Sequence, residues 1–114
     1  MTKVEAVRVA RDFYYQHRRR CDYRAGNCEW VCRELVKRLP GAMIFVFDVA
    51  CNCKLCQEEE TSEVRHRIVF WRRWFFDLTR RQFGDAPIFA TPIAALIGET
   101  GDPKSFYPNW LGEP

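Results

Sequence analysis

The sequence predicts an α+β fold in which leading helices cover one face of a small antiparallel sheet. Three observations carry that prediction. Apolar residues recur at helical spacing in two stretches before residue 40. Runs rich in β-branched and aromatic residues follow between residues 42 and 78. The chain of 114 residues is 47% hydrophobic and 15% aromatic, which is enough to build one core and argues for one ordered domain over residues 1–114.

Residues 4–16 place Val4, Val7, Ala10, Phe13 and Tyr14 close to a 3.6 period, with Thr2 as the N-cap. Residues 18–27 are polar, end in Gly26-Asn27 and read as a loop. A second helix begins at Cys28, carries Val31, Leu35, Val36 and Leu39 on one side, and is stopped by Pro40-Gly41. Residues 42–50 read as a buried strand. A polar loop with three cysteines and Glu58-Glu59-Glu60 follows. Residues 64–71 alternate, with Val64, His66, Ile68 and Phe70 on one side and Arg65, Arg67 and Val69 on the other. A tight turn near Arg72-Arg73 leads into a last strand over residues 74–78. Beyond Thr79, Gly84, Pro87 and Pro92 break the pattern, and residues 93–97 have the makings of one more helical turn. The tail, residues 98–114, is rich in Gly and Pro, but its Phe106, Tyr107 and Trp110 are expected to lie back on the body.

Composition also excludes function classes. No stretch approaches the ~18 consecutive apolar residues of a membrane helix, and Met1 to Glu5 runs into a charged pattern with no signal-peptide core. The expectation is a protein that is cytoplasmic as made, with delivery outside the cell as an effector left open, and with no membrane partner. A net charge of +3 is too mild to argue for nucleic acid. Two basic runs, Arg18-Arg19-Arg20 and Arg72-Arg73, read first as a solvated helix end and a solvated turn, and second as a surface for an acidic partner.

Three residues have the types that nucleophilic catalysis needs. Cys28 opens a helix, where the dipole and the unpaired backbone N–H groups favour a thiolate and can hold an oxyanion. Cys32, one turn deeper, loses most of that benefit. His66 lies on a strand, and Asp77 ends the strand that returns from the tight turn, so the two are near-opposite neighbours. Each residue alone has a plain structural reading: a small buried thiol, a core histidine, a turn aspartate. Their conjunction on these elements is what points to chemistry.

At these residues the sequence resembles the papain-like cysteine domains of the bacterial toxin and effector group and of transglutaminase-like proteins. The matching pieces are Gly26-Asn27-Cys28-Glu29-Trp30-Val31-Cys32, then His66-Arg67-Ile68-Val69-Phe70, then Phe76-Asp77-Leu78-Thr79-Arg80-Arg81-Gln82-Phe83. The third contains an Asp-x-Thr-x-x-Gln-Phe segment and is the most specific of the three. The resemblance covers residues 26 to about 92 and implies a papain-like fold with Cys28 as nucleophile, His66 as general base and acid, and Asp77 as the orienting carboxylate. Gln82 matches the motif's glutamine in a supporting or bracing role, and Asn27 is a candidate for the oxyanion hole. The implied chemistry is attack on an amide or acyl carbon through a thioester, ending in peptide cleavage, glutamine deamidation or transamidation. The implied partners are a protein or peptide substrate and a cognate inhibitor protein.

One insert departs from that pattern. Cys51, Cys53 and Cys56 put three thiols in one short loop, and a structural zinc would draw its fourth ligand from Cys21 or Cys32. Only half of the usual paired-cysteine signature is present, and the implied chemistry itself requires no cofactor. Two competing readings follow: a zinc-stabilised protein-binding module, and a papain-like scaffold without catalysis.

Overall fold

The computed structural model describes residues 1–22, 27–51, 57–60, 62–98 and 100–114. Three helices come first: α1 (Lys3–Gln16), α2 (Arg18–Asp22) and α3 (Asn27–Arg38). Strands β1 (Met43–Ala50), β2 (Glu63–Trp71) and β3 (Trp74–Asp77) follow. A 3₁₀ turn (Arg80–Phe83) leads to β4 (Ile88–Pro92), α4 (Ile93–Ile97), a second 3₁₀ turn (Pro103–Ser105) and β5 (Trp110–Gly112). The fold is α+β, with one five-stranded antiparallel sheet in the order β4-β3-β2-β1-β5. No helix among the described residues is long and apolar enough to cross a membrane.

Local chemistry explains the helices. The Thr2 hydroxyl caps α1 by accepting from the Glu5 backbone N–H at 3.2 Å. Ala6, Ala10, Phe13 and Tyr14 then form its buried stripe. The polar stretch expected as a loop is helical over its first part, which corrects the sequence reading. Asp22 explains this: it accepts the Tyr14 hydroxyl at 2.5 Å and pairs with Arg18 one turn back at 3.2 Å, while Cys21 turns into the core. Helix α3 buries Cys28, Val31, Cys32 and Leu35 and gives way to Gly41 at φ +82°, a conformation that suits glycine. Trp71 fastens that end by donating its indole N–H to the Pro40 carbonyl at 3.0 Å.

The sheet is apolar on both faces. Val69, Trp71, Phe76, Leu78 and Ala90 join the helices in one core. Phe47, Val49, Ile68, Phe75 and Ile88 face the other way, under Leu96 of α4 and Tyr107 of the tail. Trp110 stacks on Phe47 with ring centroids 4.2 Å apart, and Phe45 stacks on Phe70 at 4.6 Å. The sequence reading had three strands and one covered face. β4 was hidden because Pro87 and Pro92 flank it and Ala90 sits at φ +59°, beside a register shift against β3. β5 spans only three residues of the Gly-rich and Pro-rich tail.

Candidate active site

The β2–β3 hairpin turns at Arg72-Arg73 and pairs Trp71 with Trp74, Phe70 with Phe75 and Val69 with Phe76. Extending that register puts Asp77 beside Ile68, so His66 lies two residues further along on the same face. The two residues are diagonal neighbours, within reach for side chains of this length. His66 Nε2 lies 2.8 Å from Asp77 Oδ2, and both side chains are only 1% exposed.

The ladder to β3 ends at Val69, so toward its beginning β2 has no strand on that side. Helix α3 fills the gap. Cys32 donates its thiol to the Arg67 carbonyl at 3.3 Å. Cys28, one helical turn earlier, is buried beside His66 and Arg67, and both favour its thiolate. Cys28, His66 and Asp77 therefore stand in series, brought together by α3 on the open edge of β2.

The Asp-x-Thr-x-x-Gln spacing has a local explanation. Asp77 Oδ1 accepts the Thr79 backbone N–H at 3.1 Å and its hydroxyl at 3.3 Å, the bond pattern of an Asx turn. The Gln82 N–H then bonds to the Thr79 carbonyl at 3.2 Å and closes the 3₁₀ turn. This brings the Gln82 amide nitrogen to 3.1 Å from His66 Nδ1. Asn27 is the first residue of α3 and half-buried, and among the described residues its side chain makes no hydrogen bond to the three.

Electrostatics favour an ion pair. Burial alone would push the Cys28 thiol up, but the hydrogen bond and charge of His66, together with Arg67, hold it below its ordinary value. Burial alone would likewise discharge His66, yet the Asp77 carboxylate and the Cys28 sulfur raise it to about 9. Asp77 is kept below the usual carboxylate range, against its burial, by His66, Tyr107 and Thr79. Cys32 and Cys21 behave in the opposite way. Burial pushes Cys32 well up and Cys21 to about 12, so both remain neutral thiols.

Three participants were missed from sequence. Thr79 was quoted within its motif without a role. Arg67 alternates away from the His66 face, and nothing in that alternation marks its influence on Cys28. Tyr107, whose hydroxyl lies 2.5 Å from Asp77 Oδ2, comes from the tail and was noted only as an aromatic. As for the second cysteine cluster, Cys51 is half-buried, while Cys21 and Cys32 lie in the core beneath the helices. Cys53 and Cys56 lie outside the described residues. Among the described residues, no group of three or more His, Cys, Asp or Glu side chains is arranged to hold a metal ion.

No family model, curated protein or solved structure matches this chain. The likeness to papain-like domains therefore stands on the residues alone.

Proposed function

We propose that the chain is a papain-like, cysteine-dependent amide-processing enzyme acting on a protein or peptide substrate. The observation that carries this reading is the buried series Cys28–His66–Asp77, with the sulfur at the beginning of a helix and the carboxylate saturated with hydrogen bonds. A structural histidine needs one good partner. This one is held between an activated thiol and a carboxylate, the arrangement that nucleophilic catalysis requires.

The reaction runs as follows. The Cys28 thiolate attacks the amide carbon, a C–S bond forms and the carbonyl electrons move to oxygen. The Cys28 backbone N–H at the second position of α3 has no partner within the helix and is the first oxyanion donor. Gln82 is the second. In the thiolate–imidazolium pair both ring nitrogens carry protons, so the Gln82 amide beside Nδ1 is not spent as a donor to the ring and is available to the oxyanion. The imidazolium then gives its proton to the leaving nitrogen, the C–N bond breaks and a thioester remains. Water or an amine, deprotonated by His66, displaces the sulfur and restores the thiolate. The chain's own side chains and one backbone N–H supply every step, and no cofactor is required.

A panel of glutamine-containing and unmodified peptides tests this reading, with ammonia release, peptide cleavage and intact mass followed together. An acyl adduct on Cys28 that disappears in Cys28→Ala is the expected result. Turnover that survives Cys28→Ala would overturn the reading.

A further inference from the structure

Tyr107 is the tail's contribution to the site. Its backbone is fixed by the 3₁₀ turn before it, with the Tyr107 N–H on the Pro103 carbonyl at 2.8 Å, and by the Trp110 N–H on its own carbonyl at 2.9 Å. Arg80 crosses from the Asp77 turn to donate to the Phe106 carbonyl at 2.8 Å and places its guanidinium 5.6 Å from the Tyr107 ring. The tyrosine is 3% exposed and its ring lies against Phe47, at 4.8 Å, and His66, at 5.7 Å. So much bracing aims one hydroxyl at one atom, Asp77 Oδ2, at 2.5 Å. That is the oxygen facing His66 Nε2, whereas Thr79 saturates Oδ1. Burial, then the Asp77 charge, keep the phenol well above its ordinary ionisation, so it is a donor throughout the working range.

We propose that Tyr107 is a positioning residue of the catalytic centre: its hydroxyl locks the Asp77 carboxylate in place and draws part of that oxygen's charge away from the imidazole. The proposal rests on the cysteine-enzyme reading above. Its consequence concerns proton delivery. A carboxylate bonded to His66 alone would hold the imidazolium proton too firmly for transfer to a leaving amine. Sharing Oδ2 with a neutral donor tempers that hold. Among the described residues, the other groups around this oxygen pair and the ring are Cys28 and Cys32 from α3, Cys21 from α2, and Arg80 and Gln82 from the 3₁₀ turn, with Arg67 of β2 beside the two α3 thiols. Tyr107→Phe leaves each of them in place and removes only the hydroxyl.

The test follows the His66 ring by NMR through its titration, alongside the rate of Cys28 alkylation, in the wild type, in Tyr107→Phe and with 3-fluorotyrosine at position 107. The fluorinated ring is a stronger donor of nearly the same shape. Loss of the hydroxyl should move the His66 midpoint up by about half a pH unit or more, and fluorination should move it down. A folded Tyr107→Phe with the wild-type midpoint, or a shift of the same sign in both variants, would overturn the proposal. If Tyr107→Phe fails to fold, the fluorotyrosine arm decides alone. A wild type in which Cys28 alkylation does not track the His66 titration would sink the enzyme reading and the proposal together, so the two failures are distinguishable.

Discussion

The buried Asp77 carboxylate accepts four hydrogen bonds, two from Thr79 and one each from His66 and Tyr107. Removing His66 leaves a buried, unpaired carboxylate, so His66→Ala should cost about 3–5 kcal/mol in chemical denaturation. Cys28→Ser should unfold close to the wild type while losing activity, which makes it the better probe of chemistry. A loss under about 1 kcal/mol in His66→Ala would show that Asp77 is not held as described. The same pair sets a pH window. His66 has a raised folded value, so below about pH 6.5 its ring is charged in both states and its contribution is whole. The contribution then falls as pH rises and is gone above about 9. Asp77 is depressed, so its share is whole above about pH 4 and is lost as pH drops through the folded value. Denaturation of Cys28→Ser, which keeps Asp77 but loses the sulfur's share of the rise, should still show stability declining as pH rises above about 6.5 and reaching its floor sooner than in the wild type. Stability that rises over that range would contradict the pairing. Types and spacing made Cys28, His66 and Asp77 legible in the sequence. Arg67 and Tyr107 were not, because their contacts depend on a strand edge and a tail whose placement no local pattern records.

At the scale of elements, α3 and the turn after β3 deliver the site. Leu35 is 1% exposed where α3 meets the sheet, and Leu35→Ala should cost about 2–5 kcal/mol and slow Cys28 alkylation in the folded fraction. Unchanged alkylation would mean that the helix seat does not position the sulfur. The 3₁₀ turn that carries Gln82 ends at Gly84, where φ is +85° and a Cβ would meet no neighbour within 4 Å. Gly84→Ala should therefore cost about 1 kcal/mol through backbone conformation alone. A neutral result would show that the turn relaxes freely. Helix α1, the body of α3 and the β2–β3 hairpin were readable because period, caps and turn residues agreed. Helix α2 was obscured by a run of arginines that a single aspartate satisfies, and β4 by prolines and a left-handed alanine.

At the scale of the whole molecule, the sheet is buried between the three helices on one side and α4 with the tail on the other. The tail is thus a second wall, and it closes over the Asp77 end of the Cys28–His66–Asp77 series. Phe47 has no exposed surface, stacks on Trp110 and meets the Tyr107 ring at a tilt. Phe47→Ala should then cost about 3–5 kcal/mol, as much as a core aromatic on the helix side. A cost under about 1 kcal/mol would show that the tail shelters no core. The central claim is that this enclosure makes one thiol out of six reactive. Brief alkylation of the folded, reduced protein at about pH 6, where an ordinary thiol of pKa ~8.5 is barely ionised, tests it most directly. Mass spectrometry should find the label on Cys28 far ahead of the other cysteines, and His66→Gln should abolish that preference. Uniformly slow labelling, or preferential labelling of any other cysteine, would contradict the account.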